Sequence, residues 1–435
     1  MKRTKYRWLI IGVAFLISVV NYVDRSAIAF AMPILSELFH LDNSRIGLTL
    51  GAFNIGYAAM VFFGGLMVDR WGARWVWFYT ALVWSTSIFA TAFAAGFADL
   101  FALRLLLGLS EGPNFPALSR VVGDWLPSRE RAVALSNTLV AVPIALALGG
   151  PLVSLLAIHV GWRGMFMILG GLGVIWAPIW LLLFRDFPEQ SKMVNDAELE
   201  YIREKDAVIR DLPPGELQRK HHGATPGAWR FMLTNPTLLS NDWAFFVFGY
   251  NLFFFMGWLP TYLTRVYGLN LGQAGLSSVP PWALGAVLLI GVGHLSDRVL
   301  RATGSLRLAR SYPIWISQLL SGLCVIPLLG VHSVRFALIV ISLSVGFAVS
   351  ANSVFYAINV DMIKEKSGTA LGIMDVCFAV AGLVASTITG WTVQATGSFS
   401  SAFLLVIGLN LTSVIAVLIF HRPDAERNHV FNRAR

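Results

Sequence analysis

Asn21-Tyr22-Val23-Asp24-Arg25 sets an aspartate and an arginine in the middle of an apolar run extending from about Trp8 to Ile34. An arginine there can hold a carboxylate through two parallel hydrogen bonds. An aspartate there can take up and release a proton. The run is long enough to cross a bilayer, which takes ~20 helical residues. Each charge near the centre of such a helix costs roughly 2.5–3.5 kcal/mol on insertion. A chain carries that cost when the charges face an interior cavity, where they pair with one another, with protons or with a solute. A static ion pair that locks helices together is the structural alternative.

Five charged residues stand out inside apolar segments: Asp24, Arg25, Arg104, Glu111 and Asp375. Arg104 and Glu111 are seven residues apart, two helical turns, so they share one face. With all five ionised the interior sums to −1, and a monoanionic solute brings it to −2. Two protons restore neutrality, so the expected stoichiometry is at least two protons per monoanion. Asp375 alternatively contacts an amine on the solute, or bonds to backbone or water at a helix interface.

These residues are positioned by twelve apolar segments, at about 8–34, 46–67, 75–95, 97–118, 132–158, 164–184, 238–263, 274–295, 312–331, 336–358, 368–392 and 400–420. Of the 435 residues 56% are hydrophobic and 13% charged, against about 25% charged in soluble domains. The chain is therefore read as an all-α membrane protein with no room for a separate soluble catalytic domain. Its formal charge of +9 is distributed by topology: of 33 Lys and Arg, 27 lie in the termini and the loops on their side. Four (Arg45, Arg163, Arg265, Arg335) fall on the other side and two lie inside segments. The positive-inside rule puts both termini in the cytoplasm, and nucleic-acid binding is excluded as the source of the basicity. The basic N-terminus ahead of an apolar run resembles a signal peptide. Its length and its NYVDR charges instead point to a retained anchor.

Cys324 and Cys377 give no disulfide framework. The eight histidines lie in loops or at segment ends without facing pairs, so no metal site is expected. Gly170, Gly171 and Gly173 sit within a segment and form no nucleotide loop. With no Walker motif, no cofactor and no nucleophile–base–orienter set, the chain is expected to be a secondary transporter and not an enzyme.

One long hydrophilic stretch divides the segments into two sets of six: residues 1–184, a cytoplasmic linker over 185–237, and residues 238–435 with a short basic tail. Within the linker, Asp196 to Lys205 has the caps and charge spacing of a short solvated helix. Gly65-Leu66-Met67-Val68-Asp69-Arg70 follows the second segment, and Gly293-His294-Leu295-Ser296-Asp297-Arg298 follows the eighth. The same G-x-x-x-D-R at matching positions of both sets marks an internal repeat, and parallel six-helix repeats flank a central site.

GGLMVDRWGARW, ending at Arg74 and Trp75, resembles the loop 2–3 motif of the major facilitator superfamily. NYVDR, the run from Arg104 through Gly108 and Glu111 to Pro113, Trp125-Leu-Pro-Ser-Arg-Glu130-Arg131 and Trp258-Leu-Pro260-Thr-Tyr262-Leu263 resemble its anion:cation symporter family over nearly the whole chain. That family includes proton-coupled importers of sugar acids and aromatic carboxylates, and vesicular and lysosomal anion carriers. The resemblance implies a major facilitator fold, two pseudo-symmetric six-helix halves rocking around a midplane cavity, and a chain that works as a monomer. It implies that Arg25 holds the substrate carboxylate, that Asp24 and Glu111 carry protons, and that Arg104 is their switchable partner. It extends to Tyr22 and Tyr57 as hydroxyls for a polyol or carboxylate.

Tyr250, Asn251, Ser350 and Asn352 are polar residues in helices expected to line the second half of the cavity, with helix–helix hydrogen bonding as the alternative. Asp69, Arg70, Arg74, Asp297, Arg298, Glu130 and Arg131 are expected to latch conformations. Trp258-Leu259-Pro260 reads as a helix end and outer gate. Asp375 departs from the asparagine of sugar-acid importers. The expected function is import of a small organic anion, such as a sugar acid, by proton symport across a bacterial-type cytoplasmic membrane. A proton-driven exporter of drugs or metabolites, or an importer of a zwitterionic or cationic solute using Asp375, are the alternatives. Gly149-Gly150-Pro151 would mark the exporter if it did more than kink a packed helix.

Overall fold

A chain crossing lipid must satisfy every backbone N–H and C=O internally, and a single apolar segment does so only as a helix. The computed structural model describes residues 3–203, 228–330, 333–363 and 367–425, and these ranges are helical apart from turns and short connections. The first half comprises α1 (Tyr6–Leu38), α2 (Asn43–Thr91), α3 (Phe97–Glu111), α4 (Asn114–Trp125) and α5 (Ser128–Leu183). Short helices α6 (Asp196–Arg203) and α7 (Ala228–Thr234) follow. The second half comprises α8 (Pro236–Tyr267), α9 (Leu271–Ser277), α10 (Val279–Thr303), α11 (Tyr312–Val325), α12 (Val334–Ser350), α13 (Asn352–Met362), α14 (Ser367–Thr396) and α15 (Ser400–Phe420).

By length and composition alone, eight helices could each cross a membrane. The count rises to twelve because two long helices double back and one span is broken. In α2 the backbone reverses at Gly72, whose φ of +79° a side chain rarely tolerates. Ser87 and Gly56 both meet the Leu103–Leu105 turn of α3, while Gly64 and Trp77 both meet Pro113–Asn114. Residues so far apart reach the same level only if α2 is a hairpin. Gly161 turns α5 in the same way, beside the Phe39–Trp162 ring contact. The fourth span is α3 and α4, broken at Gly112–Pro113.

Each half closes with the same device. Asp186, just past the sixth span, accepts the Arg74 backbone N–H at the start of the third span at 2.9 Å. Asp424, just past the twelfth, accepts the Leu306 and Arg307 N–H groups at the start of the ninth, at 2.7 and 3.0 Å. A carboxylate at a helix N-terminus satisfies orphan donors and complements the helix dipole. The two halves thus repeat in their capping as well as in G-x-x-x-D-R.

The halves meet on the side away from the termini. The Asn43 N–H donates to Gln394 Oε1 at 3.0 Å, Arg265 Nη1 donates to Asn43 Oδ1, and Gly47 packs on the Ser386–Gly390 turn. Gly150 of α5 lies against Gly275 and Ser278, so the Gly149-Gly150-Pro151 stretch serves a packed seam. On the terminal side, Arg120 pairs with Asp69 and Asp124 within the first half, and Arg310 with Asp297 and Asp361 within the second.

Two expectations change. The linker helix is not merely solvated: Glu198 of α6 is fully buried and accepts from Thr4 Oγ1, the Tyr6 and Arg7 N–H groups and Arg7 Nη1. It caps α1 across the sequence. Nor does Pro260 end a helix, since α8 continues to Tyr267 and stops at Gly268 in the left-handed conformation. Trp258 is buried, and its indole N–H donates to Ser386 O at 3.3 Å.

Candidate functional site

Close backbone contact between α2 and α3 builds the site. A Cβ at Gly108 would lie 1.9 Å from Phe53 O, and one at Gly56 would lie 2.2 Å from Leu105 O. Small residues at such a crossing let two helices touch. This brings Phe53 and Tyr57 to the level of Arg104 and Glu111. Arg25 of α1 enters between them.

Arg25 and Glu111 form an ion pair of 2.6 Å, Nε to Oε2, with both side chains at most 1% exposed. The rings of Tyr22, Phe53 and Tyr57 lie 4.6, 4.8 and 4.8 Å from the guanidinium carbon. Aromatic faces attract a desolvated guanidinium. Arg25 Nη1 and Nη2, the second Glu111 oxygen and both Asp24 oxygens are buried without hydrogen-bond partners. Arg104 packs on Phe53 at 5.1 Å, with Nε and Nη1 unpaired. Arg25, Arg104 and Asn54 face Phe253, Met256 and Ser386 of the second half across a narrow cavity. The orphaned donors are in place to receive an anion, and two acids lie within the same cluster. Glu111 is held by Arg25, not by Arg104.

The second-half candidates are dispersed. Asp375 in α14 accepts a hydrogen bond from the Tyr356 hydroxyl at 3.3 Å. Tyr250 is buried with its hydroxyl unpaired, and Asn352 is buried with Oδ1 unpaired. Asn251 instead exchanges amide hydrogen bonds with Asn410 at 3.1 and 3.2 Å, tying α8 to α15. Ser350 donates back to Phe347 O at 2.7 Å, within its own helix.

The loop residues fall into networks on the terminal side. Arg120 joins Asp69 at 3.4 Å and Asp124 at 2.6 Å in the first half. Arg310 joins Asp297 and Asp361, each at 3.0 Å, in the second. Glu130 accepts from Arg7 at 2.9 Å and from the Tyr201 hydroxyl at 2.7 Å. Arg74 Nη2 donates to Leu181 O, Arg70 lies near the Trp71 ring, and Arg298 is exposed. The Arg131 side chain lies outside the described residues.

Sequence reading missed Arg120, Arg310, Asp124 and Asp361, whose only signal is a charge near the end of a span. It also passed over two acids inside the segments: Asp99, exposed at the start of α3, and Asp242 of α8, 7% exposed with Oδ1 unpaired and so a sixth charge of the interior. Counting Asp242 with the other five makes the interior sum −2, and on the same count neutrality with a monoanion takes three protons.

Two six-helix halves, in contact on one side around buried charges with unpaired donors, define the class of a membrane transporter. Residues 14–311 and 302–434 match the Major Facilitator Superfamily model, and the chain belongs to that family, in its anion:cation symporter branch. It is 32% identical to a hexuronate transporter of Bacillus subtilis over 94% of this chain and 93% of that one. It is also 32% identical to a probable sulfoacetate transporter of Cupriavidus necator, over 93% and 91%. Among solved structures, a bacterial homologue of the human lysosomal transporter Spinster superposes with a TM-score of 0.73 over 100% of this chain and 99% of that one, at 17% identity. That likeness shows the fold.

Proposed function

We propose that the protein imports a small organic anion, a sugar acid or related carboxylate, by symport with protons across the bacterial cytoplasmic membrane. Residues 1–184 and 238–435 act as the two moving halves and 185–237 as the linker, with both termini cytoplasmic and one chain as the working unit. The observation carrying this reading is Arg25: a buried guanidinium held by Glu111 on one edge with two donors unpaired on the other. A carboxylate satisfies that fork bidentately. Asp24 and Glu111 are the proton carriers, and Arg104 shifts the field between them. Tyr22 and Tyr57 hold the solute against Arg25, while Asp69, Arg120, Asp124, Asp297, Arg310 and Asp361 secure each half as it rocks.

Relatives of this chain are named for hexuronate and for sulfoacetate, both carrying a carboxylate. In proteoliposomes, an inward proton gradient is expected to drive uptake of a hexuronate, and Arg25→Ala to abolish it. Accumulation outward against the gradient would identify an exporter instead. Uptake unaffected by Arg25→Ala would remove the anion site from where it is placed here.

A further inference from the structure

Asp375 takes no part in the ion-pair cluster of the first half. Its carboxylate has the Tyr356 hydroxyl as its hydrogen-bond donor, at 3.3 Å, and no basic side chain within 4.0 Å among the described residues. Its chain neighbour Met374 and Phe378 one turn on are buried, whereas Asp375 and Tyr356 are both partly exposed. Behind it the wall is apolar: Phe245 contacts Tyr356 at 5.6 Å and Phe378 at 5.3 Å between ring centres. Gly382 and Ser386, two and three turns further along α14, meet Asn54 and the Arg25 cavity, and Asp375 shares their face of the helix. The first half thus presents a guanidinium packed by tyrosine rings, and the facing side of α14 carries a carboxylate with no cation within 4 Å among the described residues.

Building on the anion reading above, we infer that Asp375 selects the far pole of the substrate: it accepts a hydrogen bond from an O–H or N–H group there and excludes a second anionic group. A carboxylate or sulfonate at that pole would meet a like charge with no cation to bridge it, which recognition surfaces use to reject wrong partners. A hydroxyl donates to a carboxylate without that repulsion. The two relatives differ on this point: a hexuronate has one anionic group and several hydroxyls, whereas sulfoacetate has two anionic groups and no hydroxyl.

Equilibrium binding to the purified full chain, in detergent, tests the assignment with D-galacturonate, D-galactarate, sulfoacetate and 6-aminohexanoate. The first two share a carbon chain and differ by the second carboxylate. The wild-type protein is expected to prefer D-galacturonate over both diacids by about tenfold or more, and Asp375→Asn to bring the ratio near one. Asp375→Glu keeps the charge and is expected to keep the preference, so a selectivity change cannot be put down to misfolding. Tighter binding of 6-aminohexanoate than of D-galacturonate makes the donor an ammonium; the reverse makes it a hydroxyl. Equal affinity for monoacid and diacid in the wild type, or an unchanged ratio in Asp375→Asn, overturns the inference while Arg25-dependent binding leaves the anion reading standing. Binding of none of these acids overturns both.

Discussion

Arg25 is buried under three aromatic rings, and Glu111 is its one ionic partner within 4 Å among the described residues. Removing one member of a buried pair leaves an uncompensated charge, which costs about 3–5 kcal/mol. Replacing both by apolar residues of similar volume is often neutral. Glu111→Leu is therefore expected to destabilise the protein by about that amount, and Arg25→Met with Glu111→Leu to recover most of it. Thermal unfolding of the four members of the cycle in one detergent checks this. The doubly apolar protein should fold and bind no carboxylate, which separates the pair's role in stability from its role in recognition. The charges themselves were legible in the sequence, because a charge inside an apolar run needs a reason. Asp242 carries the same signal in the seventh segment and was equally legible. What spacing could not show is that Glu111 reaches across to Arg25, since the two lie on different spans.

At the scale of elements, the crossing of α2 and α3 sets where Phe53 and Tyr57 stand relative to Arg25. Gly108→Ala introduces a Cβ 1.9 Å from Phe53 O, a backbone atom that cannot swing aside. Overpacking of this kind costs roughly 1–3 kcal/mol, and substrate affinity is expected to fall with it although no polar atom changes. Gly171→Ala, at a position with open space around the built Cβ, should leave both unaltered. Unfolding midpoints and binding constants of the two variants make the comparison. The repeated G-x-x-x-D-R revealed which helices correspond between the halves. It did not reveal that Arg120 would serve Asp69 from the fourth span while Arg310 serves Asp297 from the start of the ninth. Nor does composition distinguish a solvated linker helix from α6, whose Glu198 caps the first span.

For the molecule as a whole, the sealed seam between α2 and α14 must part if the site is to open to the other side. Asn43 and Gln394 face each other there, with the Asn43 N–H 3.0 Å from Gln394 Oε1. Asn43→Cys with Gln394→Cys, in a background lacking Cys324 and Cys377, is expected to cross-link under oxidation. Transport should stop and recover on reduction, while substrate binding from the terminal side persists. Transport at the wild-type rate with the link fully formed would show that this seam does not open during the cycle.

The apolar segments, the bias of Lys and Arg, the intramembrane charges and the twice-written motif determined the class of fold, the number of spans and the residues around which a site forms. They do so because bilayer insertion penalises charge and unpaired backbone strongly enough to leave its mark on every span. Tertiary structure alone decided which acid holds Arg25, that Asn251 ties two helices, that Asp375 has no cation within 4 Å among the described residues, and where the two halves touch. Those outcomes depend on how helices from distant parts of the chain cross and rotate against each other, and a repeat of 3.6 residues within one helix carries no information about the angle of its neighbour.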